Sequence, residues 1–106
     1  MSEIVVVATA RASAGKEAEV ERRFLAAIEP THAEEGCLRY AFHRDAADPA
    51  RFVMLERWTS RKALDRHLAA PHIATLLAGV APLLDGEIEL AVLEPLSDQN
   101  GPKGKI

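Results

Sequence analysis

One uninterrupted run, Phe52-Val53-Met54-Leu55-Glu56-Arg57-Trp58-Thr59-Ser60-Arg61-Lys62-Ala63-Leu64-Asp65-Arg66-His67-Leu68, passes from strand periodicity straight into helix periodicity. In its first half Phe52, Met54, Glu56 and Trp58 share one face, while Val53, Leu55 and Arg57 share the other. That alternation is the signature of a strand. Thr59 or Ser60 then offers a hydroxyl to the free amides of a helix start, and Ala63, Leu64, His67 and Leu68 fall on one helical stripe. The corner carries the chain's only tryptophan, a carboxylate two residues before it, and a histidine on the stripe that faces the sheet.

The rest of the chain repeats both periods. Ile4 to Ala10 is β-branched and nearly all apolar, a strand with little solvent on either face. From Glu17 the period changes, and Val20, Phe24, Ala27, Ile28 and Thr31 line one side of an amphipathic helix of about five turns. Pro30 kinks that helix by removing a backbone donor, and Gly36 stops it. Cys37 to Arg44 alternates as a half-buried strand, with Leu38, Tyr40 and Phe42 on one face. Asp45 to Pro49 is turn chemistry that makes Phe52 to Trp58 its hairpin partner. Pro71 suits the first turn of a second helical piece, along which Ile73, Leu76, Leu77 and Val80 repeat. Ile88, Leu90 and Val92 give a last strand.

The order is therefore β-α-β-β-α-β, the α+β split pattern of a ferredoxin-like sheet with helices on one face. Residues 1–96 form one domain, and the polar stretch 97–106 is expected to be a disordered tail. Because the second sheet face is also apolar, two copies are expected to pair sheet to sheet as a homodimer.

Composition narrows the function classes. Net charge is −3 with both signs interleaved, so the basic stripe of a nucleic-acid binder is missing. No stretch reaches the roughly 18 apolar residues of a membrane helix, and the amino terminus does not read as a secretory leader, so a cytoplasmic location is expected. Cys37 is alone, which rules out an intrachain disulfide. Among the four histidines none pairs at i, i+4 on one helix, and no acidic cluster joins them. A metal site is not expected. Gly-rich phosphate loops are missing, which disfavours a nucleotide cofactor.

The run Phe52 to Ser60, followed by Ala63-Leu64-Asp65-Arg66-His67-Leu68 and Pro71-His72, resembles the antibiotic biosynthesis monooxygenase (ABM) family. Glu34-Glu35-Gly36-Cys37-Leu38-Arg39-Tyr40 resembles that family's helix-to-strand corner, and the likeness spans residues 3 to 95. The resemblance implies a dimeric α/β barrel and, in several members, oxygenation of quinols or polyphenols without any cofactor. Other members degrade haem using an asparagine in the first strand and a tryptophan on the second helix. Here Val7-Ala8-Thr9 and His67 stand at those places, a departure from the haem branch.

Reaction of a quinol with O₂ needs a base near neutral pH, a dry pocket and a flat surface for the ring. The candidate acid–base residues are His67, His72 and Glu56. The candidate substrate contacts are Trp58, Tyr40, Met54 and Leu64. Each also has a structural explanation: His67 as a core histidine satisfied by a carbonyl or by Glu56, His72 beside Pro71 as part of a helix start, Glu56 as the partner of an arginine, Trp58, Met54 and Leu64 as core, and Tyr40 as packing beside Leu38 and Phe42. The leading expectation is a cofactor-independent monooxygenase acting on a small aromatic. The alternatives are a non-catalytic dimeric small-molecule binder of the same fold and a haem-binding or haem-degrading protein.

Overall fold

The computed structural model describes residues 2–106. Strand β1 (Ile4–Arg11) leads to helix α1 (Glu17–Ala26), a short helix α2 (Ile28–His32), and the hairpin β2 (Cys37–Arg44) and β3 (Arg51–Trp58). Helices α3 (Arg61–Leu68) and α4 (Pro71–Val80) and strand β4 (Glu89–Leu93) follow. The sheet order is β2-β3-β1-β4, antiparallel throughout. This is the ferredoxin-like α+β arrangement expected from the periodicities.

The helix predicted from Glu17 is broken in two rather than kinked. Pro30 has no amide hydrogen to donate to the Ala26 carbonyl four residues back, and α1 ends at Ala26. The stripe survives the break: Val20, Phe24, Ala27 and Thr31 are all buried. Ser60 caps α3 by accepting a hydrogen bond from the Ala63 amide at 3.1 Å. Pro71 opens α4, where its missing amide costs nothing.

Register aligns the helix-facing side chains in rows. Tyr40, Glu56, Val6 and Val92 are cross-strand neighbours, and Phe42, Met54, Ala8 and Leu90 form the next row. Over them pack Val20, Phe24, Ala63, Leu64, Ile73, Leu76 and Val80, making one core. Phe42 is stacked between Phe24 and Phe52, with ring centroids 5.0 and 5.3 Å away.

The other sheet face has no helix over it. Its central row is Ala41, Leu55, Val7 and Ala91, apolar across all four strands. At one end of this face Arg57 is buried, and the carboxyl-terminal segment folds back to meet it. Residues 97–106, expected to be disordered, instead form two short 3₁₀ turns, Asp98–Asn100 and Pro102–Gly104. Arg57 donates to Glu3 at 2.6 Å, to the Ile106 carbonyl at 3.0 Å and to Asp98. A guanidinium that far from water needs acceptors, and the tail supplies two of the three. No described helix is long and apolar enough to cross a membrane.

Candidate functional site

The site is built at the corner where α2 ends and β2 begins. Gly36 sits there with φ +92, and a Cβ on it would come within 2.6 Å of the Ala63 Cβ and 2.8 Å of the Thr59 hydroxyl. Glycine is therefore required twice, for its backbone and for its lack of bulk. Its absence of a side chain lets the corner press against α3. Two residues earlier, Glu34 is held by a bond from its own amide to the Thr31 carbonyl and one from the Cys37 amide to its carbonyl. One helical turn after Ala63, on the same stripe, comes His67.

Glu34 and His67 meet across this contact: Glu34 Oε2 lies 2.7 Å from His67 Nδ1. The same oxygen lies 2.8 Å from Nε2 of His72 in the first turn of α4. Thr31 Oγ1 is 3.2 Å from that nitrogen. One carboxylate from the α2–β2 corner thus joins histidines from two different helices. A carboxylate only accepts, so the arrangement places a proton on His67 Nδ1 and on His72 Nε2. The lone pairs are left on His67 Nε2 and His72 Nδ1.

Burial divides the two rings. His67 is 3% exposed, its ring 4.5 Å from that of Trp58 and 5.3 Å edge-on from that of Tyr40. Burial pulls its pKa below the ordinary histidine value; the Glu34 hydrogen bond and charge work against that, and His72 adds to it. His72 keeps about a quarter of its side chain in solvent. It also lines a cavity of about 270 Å³ between α1 and α4, walled by Arg23, Ala26, Ala27, Thr75 and Leu76.

Glu56 does not orient either histidine and has no arginine partner among the described residues. It accepts the indole N–H of Trp58 at 2.9 Å and is otherwise enclosed. Burial pushes its pKa up to about 7; the bond from Trp58 opposes this and the charge of Glu34 adds to it. Trp58, Met54 and Leu64 are sealed in the core. Tyr40 is buried beside His67, and burial followed by the Glu56 charge raises its pKa. Cys37 is raised to about 11, chiefly by burial, so its thiol stays protonated.

The residues singled out from the sequence are therefore adjacent but play distinct parts. His67 and His72 come together, Trp58 and Tyr40 pack on His67, and Glu56 serves Trp58. Glu34, which in the sequence is marked only as part of a helix-to-strand corner, is the group that unites the histidines.

Comparison with known proteins agrees with this architecture. The family model described as "Antibiotic biosynthesis monooxygenase" matches residues 3–78. Rv0793 of Mycobacterium tuberculosis, provisionally named a monooxygenase, is 41% identical over 73 residues, which are 69% of this chain and 71% of that protein. The solved Rv0793 structure superposes with a TM-score of 0.85 at 34% identity, covering 90% of this chain and 96% of the other. PA3566 of Pseudomonas aeruginosa gives 0.85 at 32%, covering 91% and 96%. A conserved protein from Methanosarcina mazei gives 0.84 at 30%, covering 89% and 93%. The chain belongs to the antibiotic biosynthesis monooxygenase family.

Proposed function

We propose that the chain is a cofactor-independent monooxygenase that oxidises a small quinol or polyphenol with O₂, working as a cytoplasmic homodimer. One observation carries the reading: a carboxylate-bridged histidine pair whose outer member opens on a small, mainly apolar cavity. That cavity suits a one- or two-ring aromatic better than a drug-sized ligand. A phenolic hydroxyl bound there gives its proton to His72 at Nδ1, the nitrogen that Glu34 leaves free. The resulting anion is electron-rich enough to pass an electron to O₂. Glu34 stabilises the imidazolium that forms, and His67 holds Glu34 in place from the core side. Ala27 and Leu76 give the ring an apolar surface to pack on.

Between the two histidines, exposure favours His72 as the group that meets substrate, with His67 one step behind it. Trp58 and Tyr40 then act by holding the His67 ring rather than by stacking on substrate.

Oxygen uptake with a panel of hydroquinones, in chelator-treated buffer, tests the proposal. The expected result is turnover above the spontaneous rate, abolished in His72→Ala. No turnover across the panel would leave a small-molecule binder on the same fold.

A further inference from the structure

We propose that Glu34, His67 and His72 also form a binding site for one divalent first-row transition-metal ion, of which zinc(II) is the natural example and cobalt(II) a spectroscopic stand-in. Two imidazoles and a carboxylate are the donor set such ions favour, whereas magnesium and calcium prefer oxygen alone. Here Glu34 Oε2, His67 Nδ1 and His72 Nε2 all lie within 4.8 Å of one another. The two nitrogens are 2.7 and 2.8 Å from the shared oxygen. Ligand atoms arranged tetrahedrally around an ion bound at about 2.0–2.1 Å lie about 3.3 Å apart. Glu34 Oε2 would therefore draw back from the two rings by about half an ångström, while the two nitrogens, within 4.8 Å of each other, close toward that spacing.

The surroundings suit an ion as well as the donors do. The ligands come from the α2–β2 corner, α3 and α4, so the fold rather than a local motif brings them together. Packing against Trp58 and Tyr40 fixes the His67 ring. Thr31 Oγ1, 3.2 Å from His72 Nε2, is placed to act as a further oxygen neighbour. The cavity beside His72 gives a path for the ion and room for a water to complete the coordination. Binding requires each ring to carry its proton on the nitrogen facing away from Glu34, the reverse of the hydrogen-bonded state. No electron transfer is involved. With an ion on Nε2 and the ring proton on Nδ1, His72 has no lone pair left to take a proton from substrate, so occupancy and proton transfer exclude each other at this cluster.

The inference does not depend on the oxidation reading, because binding is measured with no quinol present. Chelator-treated protein is titrated with cobalt(II) and followed by visible absorption, and zinc(II) binding is followed by calorimetry. The expected result is one ion per chain, with cobalt bands displaced by zinc. Nitrogen NMR of the wild-type chain should show zinc shifting the rings of His67 and His72 while His32 and His43 stay put. Glu34→Gln and His72→Phe should each weaken binding by about 100-fold or more, since even outer contacts of a metal site are worth 10–100-fold. Failure of cobalt or zinc to bind at stoichiometric concentration overturns the site, as do ring shifts confined to His32 or His43.

Discussion

Trp58 donates its indole N–H to Glu56 Oε1 at 2.9 Å, and both side chains are buried on the helix-facing side of β3. The bond satisfies the tryptophan but leaves a carboxyl group in the core without a cation. Its pKa rises from an ordinary 4.5 to about 7 for that reason. In this pH window the folded chain holds a proton that the unfolded chain has released, so stability falls as pH climbs from about 4.5 to 7. A shift of this size corresponds to about 3 kcal/mol across the window. Glu56→Gln keeps an acceptor for Trp58 and removes the titration. Denaturant unfolding of both proteins at pH 5 and pH 8 should show the variant gaining on the wild type by that order at the higher pH. An unchanged difference between the two pH values would contradict it.

Glu34 offers a second comparison, between losing a charge and losing an acceptor. Glu34→Ala strips the buried His67 Nδ1–H of its partner, which costs about 1–3 kcal/mol in unfolding free energy. Glu34→Gln retains a carbonyl at the same reach and should cost less. Quinol turnover should fall in both variants, because the charge that favours imidazolium is lost in each. A Gln variant with wild-type turnover would remove Glu34 from the proton path.

The legible part of this protein is the part governed by local periodicity. Alternation in Phe52–Trp58 and the stripe through Ala63, Leu64 and His67 are enough to place β3 and α3, and the β-α-β-β-α-β element order is enough to give the ferredoxin-like class. Glu34 was not legible as a partner because its two histidines lie 33 and 38 residues away in the chain. The only local sign was Gly36, which marks a tight corner without saying what the corner touches. Spread over that distance, the cluster carries no i, i+4 ligand pair to mark it in the sequence. The tail misled for a related reason: Ser97 to Lys105 has little apolar content, yet it is ordered by Arg57, 41 residues from Asp98.

The two histidines should separate by what their loss damages. His72→Ala removes a ring still partly in solvent and should change the unfolding free energy by no more than about 1 kcal/mol, while turnover drops by about 100-fold or more. His67→Ala opens a hole between Trp58, Tyr40 and Leu64, and should cost about 2–4 kcal/mol of stability as well as activity. Thermal unfolding alongside oxygen uptake distinguishes them. If His67→Ala lost turnover without losing stability, His67 rather than His72 would be the base.

The uncovered sheet face bears on self-association. Leu55 and Val7 sit at its centre, flanked by Ala41 and Ala91, with Val5 and Val53 beside them. A second copy laid sheet to sheet would dry this row, and a stable homodimer buries about 1,200–2,000 Å² in total. Val7→Lys places an ammonium in the middle of the row. In a monomer the charge points to water and is tolerated, because the face has no helix over it; in a dimer it is trapped against apolar side chains. Light scattering coupled to size exclusion should therefore give twice the chain mass for the wild type and the single chain mass for Val7→Lys, with unchanged far-ultraviolet circular dichroism. A wild-type chain that elutes as a monomer at tens of micromolar would show that this face is not the dimer interface.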